Sequence, residues 1–109
     1  MHPIIYQYRD QITALCERYD VDVLYAFGSV TEAERFTGES DLDFLVDLRL
    51  VDKDYGRYTD NFFDLNFALE ALTGRTVDLL TVRSLRNPYL IEELERTRVE
   101  IFRAKALAA

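Results

Sequence analysis

The chain lacks the features that mark secreted, membrane-spanning and disulfide-bonded proteins. Its single cysteine, Cys16, excludes an internal disulfide and fits a reducing compartment. No apolar run approaches the ~20 residues that cross a bilayer, and the first residues show neither the basic nor the apolar region of a signal peptide. We therefore expect a cytoplasmic protein that makes no use of a membrane.

Basic residues are not concentrated anywhere in the sequence. There is no run of lysine or arginine and no basic stripe, although 30% of the residues are charged. Neutralising phosphates requires such cations, so we expect no nucleic-acid groove. The net charge of −7 arises in the first half: residues 1–54 contain five basic and twelve acidic residues, whereas residues 55–109 contain eight of each. This acidic half favours a site that attracts metal cations.

The pattern of apolar residues predicts one domain over residues 1–109. The length and a hydrophobic fraction of 49% suit one core, and no linker, repeat or low-complexity segment interrupts it. Periodicity predicts helices at 3–19, 31–34, 61–72 and from 87, strands at 21–27, 42–48, 76–82 and 99–102, and a frayed tail at 103–109. We expect an α/β or α+β domain, with a small mixed sheet flanked by helices.

The predicted helix at 61–72 has an unusually broad apolar surface. Phe62, Leu65 and Leu69 share one face, while Phe63 and Phe67 widen it beyond what a surface helix needs. This pattern predicts burial against the sheet and favours contact with a partner as well.

Two carboxylates, Asp41 and Asp43, stand where the second predicted strand begins. Side chains two residues apart on a strand project from one face, so these acids would repel each other. A divalent cation would remove that repulsion. The alternative is a solvent-facing strand edge with two acids, which is the commoner origin of an isolated Asp-x-Asp.

Two further features flank the acid pair. Gly28-Ser29 ends the first predicted strand, and glycine there lets the backbone approach a ligand. If a helix begins after this turn, its free N–H groups can bind a phosphate. The alternative is an ordinary turn. Asp78 lies inside an apolar strand, where an acid is unfavourable unless it is paired or metal-bound. If the third strand neighbours the second, Asp78 reaches the same cation; otherwise it is a strand end in water.

Together these segments resemble the minimal nucleotidyltransferases of the DNA polymerase β superfamily. The resemblance rests on Phe27-Gly28-Ser29, on Ser40-Asp41-Leu42-Asp43 and on Val77-Asp78-Leu79. It covers roughly residues 12–102, with the motifs between about 21 and 82, and is nearest to the antitoxins paired with HEPN toxins. It implies a palm-like nucleotidyltransferase domain.

The resemblance also implies roles for single residues. Gly28 and Ser29 would hold the triphosphate of a bound nucleotide. Asp41 and Asp43 would bind two Mg²⁺ ions, with Mn²⁺ as a substitute, and Asp78 would share one metal and help to deprotonate the acceptor. The implied reaction is transfer of AMP from ATP to a tyrosine of a partner HEPN toxin, which inactivates the toxin.

The sequence departs from the family pattern at Val30, where many relatives carry an arginine after Gly-Ser. The triphosphate then needs another cation, for which Arg35 is the candidate, although a solvated loop arginine is the commoner case. Ser40 either orients a carboxylate or caps the turn before Asp41.

Two other functions stay open, a non-catalytic antitoxin that masks the toxin and a transferase acting on a small molecule. A homo-oligomer also stays open.

Overall fold

A four-stranded mixed sheet forms the centre of the computed structural model, which describes residues 1–107. Its strands are β1 (Val21–Phe27), β2 (Leu42–Leu48), β3 (Val77–Thr81) and β4 (Val99–Arg103). They stand in the order β3–β2–β1–β4; β1 is antiparallel to β2 and β4, and β3 is parallel to β2. The expected mixed sheet is confirmed, and β3 neighbours β2.

Helices flank this sheet on both faces, which confirms the expected fold class. They are α1 (Pro3–Gln7), α2 (Arg9–Arg18), α3 (Tyr55–Thr73) and α4 (Pro88–Thr97). The single helix predicted at 3–19 is wrong, because the backbone leaves the helical region at Tyr8 (φ −106°, ψ 12°). The predicted start of α4 is confirmed, since the Asn87 side chain accepts hydrogen bonds from the first N–H groups of the helix.

Helix α3 begins earlier than the predicted residue 61. The Asp54 carboxylate accepts a hydrogen bond from the Arg57 N–H at 2.9 Å and so caps the helix. The polar first turn that follows this cap carries little apolar periodicity, so the sequence pattern missed it. The predicted end is confirmed, because Gly74 takes the left-handed conformation (φ +71°) after the last helical residue.

The segment between β1 and β2 contains two 3₁₀ turns instead of the α-helix predicted at 31–34. They span Gly28–Thr31 and Ala33–Arg35. The Thr31 hydroxyl donates to the Gly28 carbonyl at 2.7 Å, which tightens the first turn onto the end of β1.

The end of the described chain is partly structured. β4 includes Arg103, and a 3₁₀ turn follows at Lys105–Leu107, so the strand reaches into the predicted tail. Residues 108 and 109 of that tail lie outside the described residues. Within residues 1–107, no helix is both long and apolar enough to traverse a bilayer.

The two faces of the sheet are packed to very different extents. On one face, α1, α2 and α3 cover what we term the large core, seventeen buried residues that include Ile12, Leu42 and Leu65. On the other face, α4 covers what we term the small cluster, which is Phe27, Leu45 and Leu94. Successive strand residues point to opposite faces, so β2 contributes to both.

Candidate active site

Asp43 and Asp78 lie side by side on the face of the sheet that α4 partly covers. They are register partners on the parallel strands β2 and β3. The neighbours of Asp43, Leu42 and Phe44, point into the large core, so Asp43 points the other way. Asp78, between Val77 and Leu79 of the same core, does likewise. The adjacency of Asp43 and Asp78, which the sequence predicted only if β2 and β3 were neighbours, is therefore present.

The third predicted carboxylate, Asp41, lies just before β2 and is exposed. The pKa of Asp43 is raised to about 6, first by burial and then by the charges of Asp78, Asp41 and Glu93, in that order. The charge of Asp41 therefore acts on Asp43. A half-buried carboxylate among three others is unfavourable in its ionised form and gains from a proton or a cation. Asp43 is thus the acid on which the charges of the other two predicted carboxylates act.

Gly28 lies next to the Asp43 carboxylate, directly after the end of β1. Phe27 is the register partner of Asp43, so the next residue lies against that side chain. Gly28 has φ +71°, and a Cβ atom placed there would lie 2.5 Å from Asp43 Oδ2. The backbone conformation therefore favours glycine, and a side chain at this position would displace the Asp43 carboxylate. The sequence predicted a close approach at Gly28 but not that Asp43 is the group approached.

The remaining predicted nucleotide-binding residues lie around this centre with different partners. Ser29 follows Gly28 in the first 3₁₀ turn and is partly exposed. The Ser40 hydroxyl accepts a hydrogen bond from the Thr37 N–H at 2.9 Å, so it caps the turn before Asp41. This matches the second of the two interpretations given for Ser40 and leaves its hydroxyl engaged within the turn.

Arg35 is exposed and pairs with Glu32 at 2.8 Å. This pairing first, and the charge of Glu93 to a smaller extent, raise the pKa of Arg35. The charge of Glu93 also acts on Asp43. Arg35 is thus a solvent-exposed cation paired with Glu32, and an anionic ligand would have to replace that acid.

Sequence reasoning missed two residues of this region, Glu93 and Arg75. Glu93 is next to Leu94, the residue by which α4 joins the small cluster, but no pattern reveals which face of the sheet α4 covers. The Arg75 guanidinium donates to the carbonyls of Thr37 and Ser40 at 2.7 and 2.9 Å. The only available signal was its place immediately before β3.

The carboxylates do not form a ready-made metal cage. Among residues 1–107, no group of three or more His, Cys, Asp or Glu side chains is gathered closely enough to hold a metal ion unaided. Mg²⁺, however, is usually bound by one or two carboxylates together with waters and substrate phosphates. The adjacent Asp43 and Asp78, whose repulsion a cation would relieve, are a donor set of that kind. The residues therefore fit a magnesium ion that arrives with a nucleotide.

The sequence model of the nucleotidyltransferase domain matches residues 9–101, which include every residue of this site. The chain belongs to the nucleotidyltransferase family. The resemblance inferred from the motifs is confirmed, and the protein is a nucleotidyltransferase. A curated relative from Methanocaldococcus jannaschii, "Putative protein adenylyltransferase MJ1379", is 31% identical over 87 residues, which are 80% of this chain and 83% of the relative.

Two solved structures show the fold of this nucleotidyltransferase in other proteins. The first, described as a "putative minimal nucleotidyltransferase", is 32% identical with a TM-score of 0.71, over 91% of this chain and 95% of the other. The second is a chain in the complex of tri-AMPylated Shewanella oneidensis HEPN toxin with MNT antitoxin. It is 16% identical with a TM-score of 0.62, over 94% of this chain and 76% of the other, and at this identity it shows the fold alone.

Proposed function

We propose that this nucleotidyltransferase transfers AMP from ATP to a protein hydroxyl, with Mg²⁺, and that the acceptor is a tyrosine of a HEPN-type toxin. The protein would then act as the antitoxin of a toxin–antitoxin pair. The observation that carries the proposal is the pairing of Asp43 with Asp78 beside the Gly28 turn. The name of the M. jannaschii relative supports a protein acceptor, and the choice of a HEPN-type toxin follows the solved complex with a chain of the same fold.

In this proposal the acidic residues hold the metal and the turn holds the phosphates. Asp41, Asp43 and Asp78 would bind Mg²⁺ or Mn²⁺, which supplies positive charge against the carboxylates and the phosphate oxygens. The backbone N–H groups after Gly28 and the Ser29 hydroxyl would bind the triphosphate. Arg35 would exchange Glu32 for a phosphate oxygen. Its position near Glu93 keeps it within the electrostatic field of the site.

The chemical step requires positioning and one proton acceptor. The tyrosine oxygen attacks the α-phosphorus of ATP in line, a new P–O bond forms, and the bond to pyrophosphate breaks. The phenolic proton passes to the Asp78 carboxylate. Asp78 is exposed, so it can return this proton to water after the transfer.

The direct test follows AMP transfer from labelled ATP to the product of the neighbouring gene, with Mg²⁺ present. Asp43→Asn should reduce the rate by about a thousandfold, because metal-ion stabilisation is worth several kcal/mol. The matched control is Asp47→Asn, a second half-buried acid on the same strand, where the pKa is raised by burial and by Asp22. Asp47→Asn should keep the wild-type rate. Equal rates for wild type and Asp43→Asn would refute catalysis at this site.

A second candidate, the non-catalytic masking antitoxin, is favoured by the outer surface of α3. Phe63 and Phe67 lie one helical turn apart and are 52% and 62% exposed, which fits a contact surface better than a solvated one. The predicted burial against the sheet is found for Leu65 and Leu69, whereas Phe63 and Phe67 lie outside that contact.

The masking mechanism is separated from catalysis by toxin-neutralisation assays on two variants. If masking suffices, Asp43→Asn neutralises the toxin as well as wild type and Phe63→Ser/Phe67→Ser does not. If catalysis is required, Asp43→Asn fails to neutralise.

A further inference from the structure

The turn Thr37–Ser40 leads directly into Asp41, and Arg75 holds it from outside. Arg75 Nη1 donates to the Thr37 carbonyl at 2.7 Å and to the Ser40 carbonyl at 2.9 Å. Its Cζ atom also lies 4.3 Å from the centroid of the Phe36 ring. The guanidinium therefore contacts both ends of the turn and the residue before it.

The turn has few other attachments. Its remaining hydrogen bonds among residues 1–107 are internal, between Thr37 and Ser40 and between Glu39 and Thr37. Thr37, Gly38 and Glu39 are exposed, so packing does little to fix them. Arg75 is thus the side chain that connects this turn to the rest of the described structure.

The segment that carries Arg75 is itself firmly anchored. The Thr76 carbonyl accepts the Leu42 N–H at 2.9 Å, and the Glu70 carboxylate accepts the Val77 N–H at 2.9 Å. Asp78 follows Arg75 by three residues, on β3. Arg75 and Asp78 therefore share one segment, and contacts made by Arg75 fix the turn relative to Asp78.

The charge of Arg75 is not used in an ion pair within the described residues, where none of its nitrogens lies within 4 Å of a carboxylate. Its donors are directed at main-chain carbonyls instead. A planar guanidinium can donate to two carbonyls and lie flat over a ring at once. The ammonium of lysine can donate to carbonyls but has no planar group to lie over the ring, so it replaces these contacts only in part.

We propose that Arg75 is a positioning residue for nucleotidyl transfer, acting through the turn Thr37–Ser40 to fix the backbone of Asp41 relative to Asp43 and Asp78. The inference rests on the proposed function, because it assigns Asp41 to the metal. Partners that orient a metal ligand typically change metal affinity about 10–100-fold when removed.

The test compares wild type, Arg75→Ala and Arg75→Lys, with Arg18→Ala as the matched control. Arg18 also lies over an aromatic ring, that of Tyr19 at 5.5 Å, but it belongs to α2. Mn²⁺ affinity is measured by electron paramagnetic resonance, and exchange of the amides of residues 38–41 by hydrogen–deuterium exchange. For Arg75→Ala we expect Mn²⁺ binding about tenfold weaker and faster exchange. In Arg75→Lys, Mn²⁺ affinity and amide exchange should change in the same directions, and Arg18→Ala should match wild type in both.

Transfer kinetics then distinguish positioning from a general loss of structure. The Mg²⁺ concentration for half-maximal rate should rise about tenfold in Arg75→Ala, with an unchanged KM for the acceptor. Wild-type Mn²⁺ affinity in both Arg75 variants would overturn the inference. If wild type binds Mn²⁺ but transfers no AMP, the proposed reaction fails while the weaker Mn²⁺ binding of the Arg75 variants still supports positioning. Should Arg75→Ala not fold, Arg75→Lys decides.

Discussion

The two faces of the sheet differ in what they contribute to the molecule. The face under α1, α2 and α3 carries the large core, whereas among residues 1–107 the face under α4 has only Phe27, Leu45 and Leu94 buried in one small cluster. The carboxylates lie on the second face. A fully packed face has no room for a nucleotide, so the sparse cover of α4 is what leaves the acids accessible.

Strand β2 belongs to both faces at once. Leu42 and Phe44 are fully buried in the large core, while Asp43 between them lies on the opposite face. The side-chain period of two therefore lets a strongly packed strand carry an unfavourable carboxylate without interrupting its core residues. The stability of the large core offsets the repulsion among the acids.

The largest expected effect that tests this comparison is the loss of stability in a matched pair of leucine truncations on β2. Leu42 and Leu45 are each at most 1% exposed, but Leu42 faces the large core and Leu45 faces the small cluster. Leu42→Ala should lower the free energy of unfolding by roughly 4 kcal/mol and Leu45→Ala by roughly 2 kcal/mol, since the thinner side can relax around the lost atoms. Denaturant unfolding measures both. Equal losses would show that the two faces stabilise the fold alike.

A smaller effect is expected at the turn that touches the site. Gly28→Ala should lower the free energy of unfolding by about 2 kcal/mol, because alanine is strained at positive φ and its Cβ would collide with Asp43. Gly38→Ala is the control, since a Cβ there meets nothing within 4 Å. Thermal unfolding should separate the two variants clearly. A Gly28→Ala protein as stable as Gly38→Ala would contradict the described packing against Asp43.

The smallest effect concerns the charge of Asp43. Its pKa is raised to about 6 in the folded chain, so the folded state binds this proton more tightly than the unfolded state does. Ionisation therefore destabilises the fold as the pH rises through about 4 to 6. Asp43→Asn should be more stable than wild type by about 1 kcal/mol at pH 7.5, after allowance for the partial exposure of the carboxylate, and equally stable below pH 4.

Urea unfolding at several pH values measures this difference, and Mg²⁺ should reduce it by stabilising wild type only. Asp47→Asn serves as the control for the metal, because it lies outside the proposed site. If Mg²⁺ raised the stability of Asp43→Asn as much as that of wild type, the metal would bind elsewhere.

The features that sequence could predict are the local ones. Strand periodicity placed Asp43 on one face, and the Asn87 and Gly74 caps marked two helix ends. Each depends on a residue and its immediate neighbours, which a sequence displays directly.

The features that sequence could not predict depend on distant contacts. Glu93 reaches the acids because α4 packs on that face of the sheet, and Arg75 reaches the turn before Asp41 across 35 residues of chain. The start of α3 was missed because the Asp54 cap lies outside its apolar pattern. Tertiary packing decides such features, and no local pattern encodes it.

The contact between Gly28 and Asp43 also limits how this chain can change over generations. A larger residue at position 28 fits only if the end of the Asp43 side chain turns away, and that moves the carboxylate from its present position. The two positions are therefore expected to vary together among relatives, with glycine retained wherever the acid is retained. A lineage that abandoned the acid would lose the steric part of the constraint on residue 28 and keep only the conformational one.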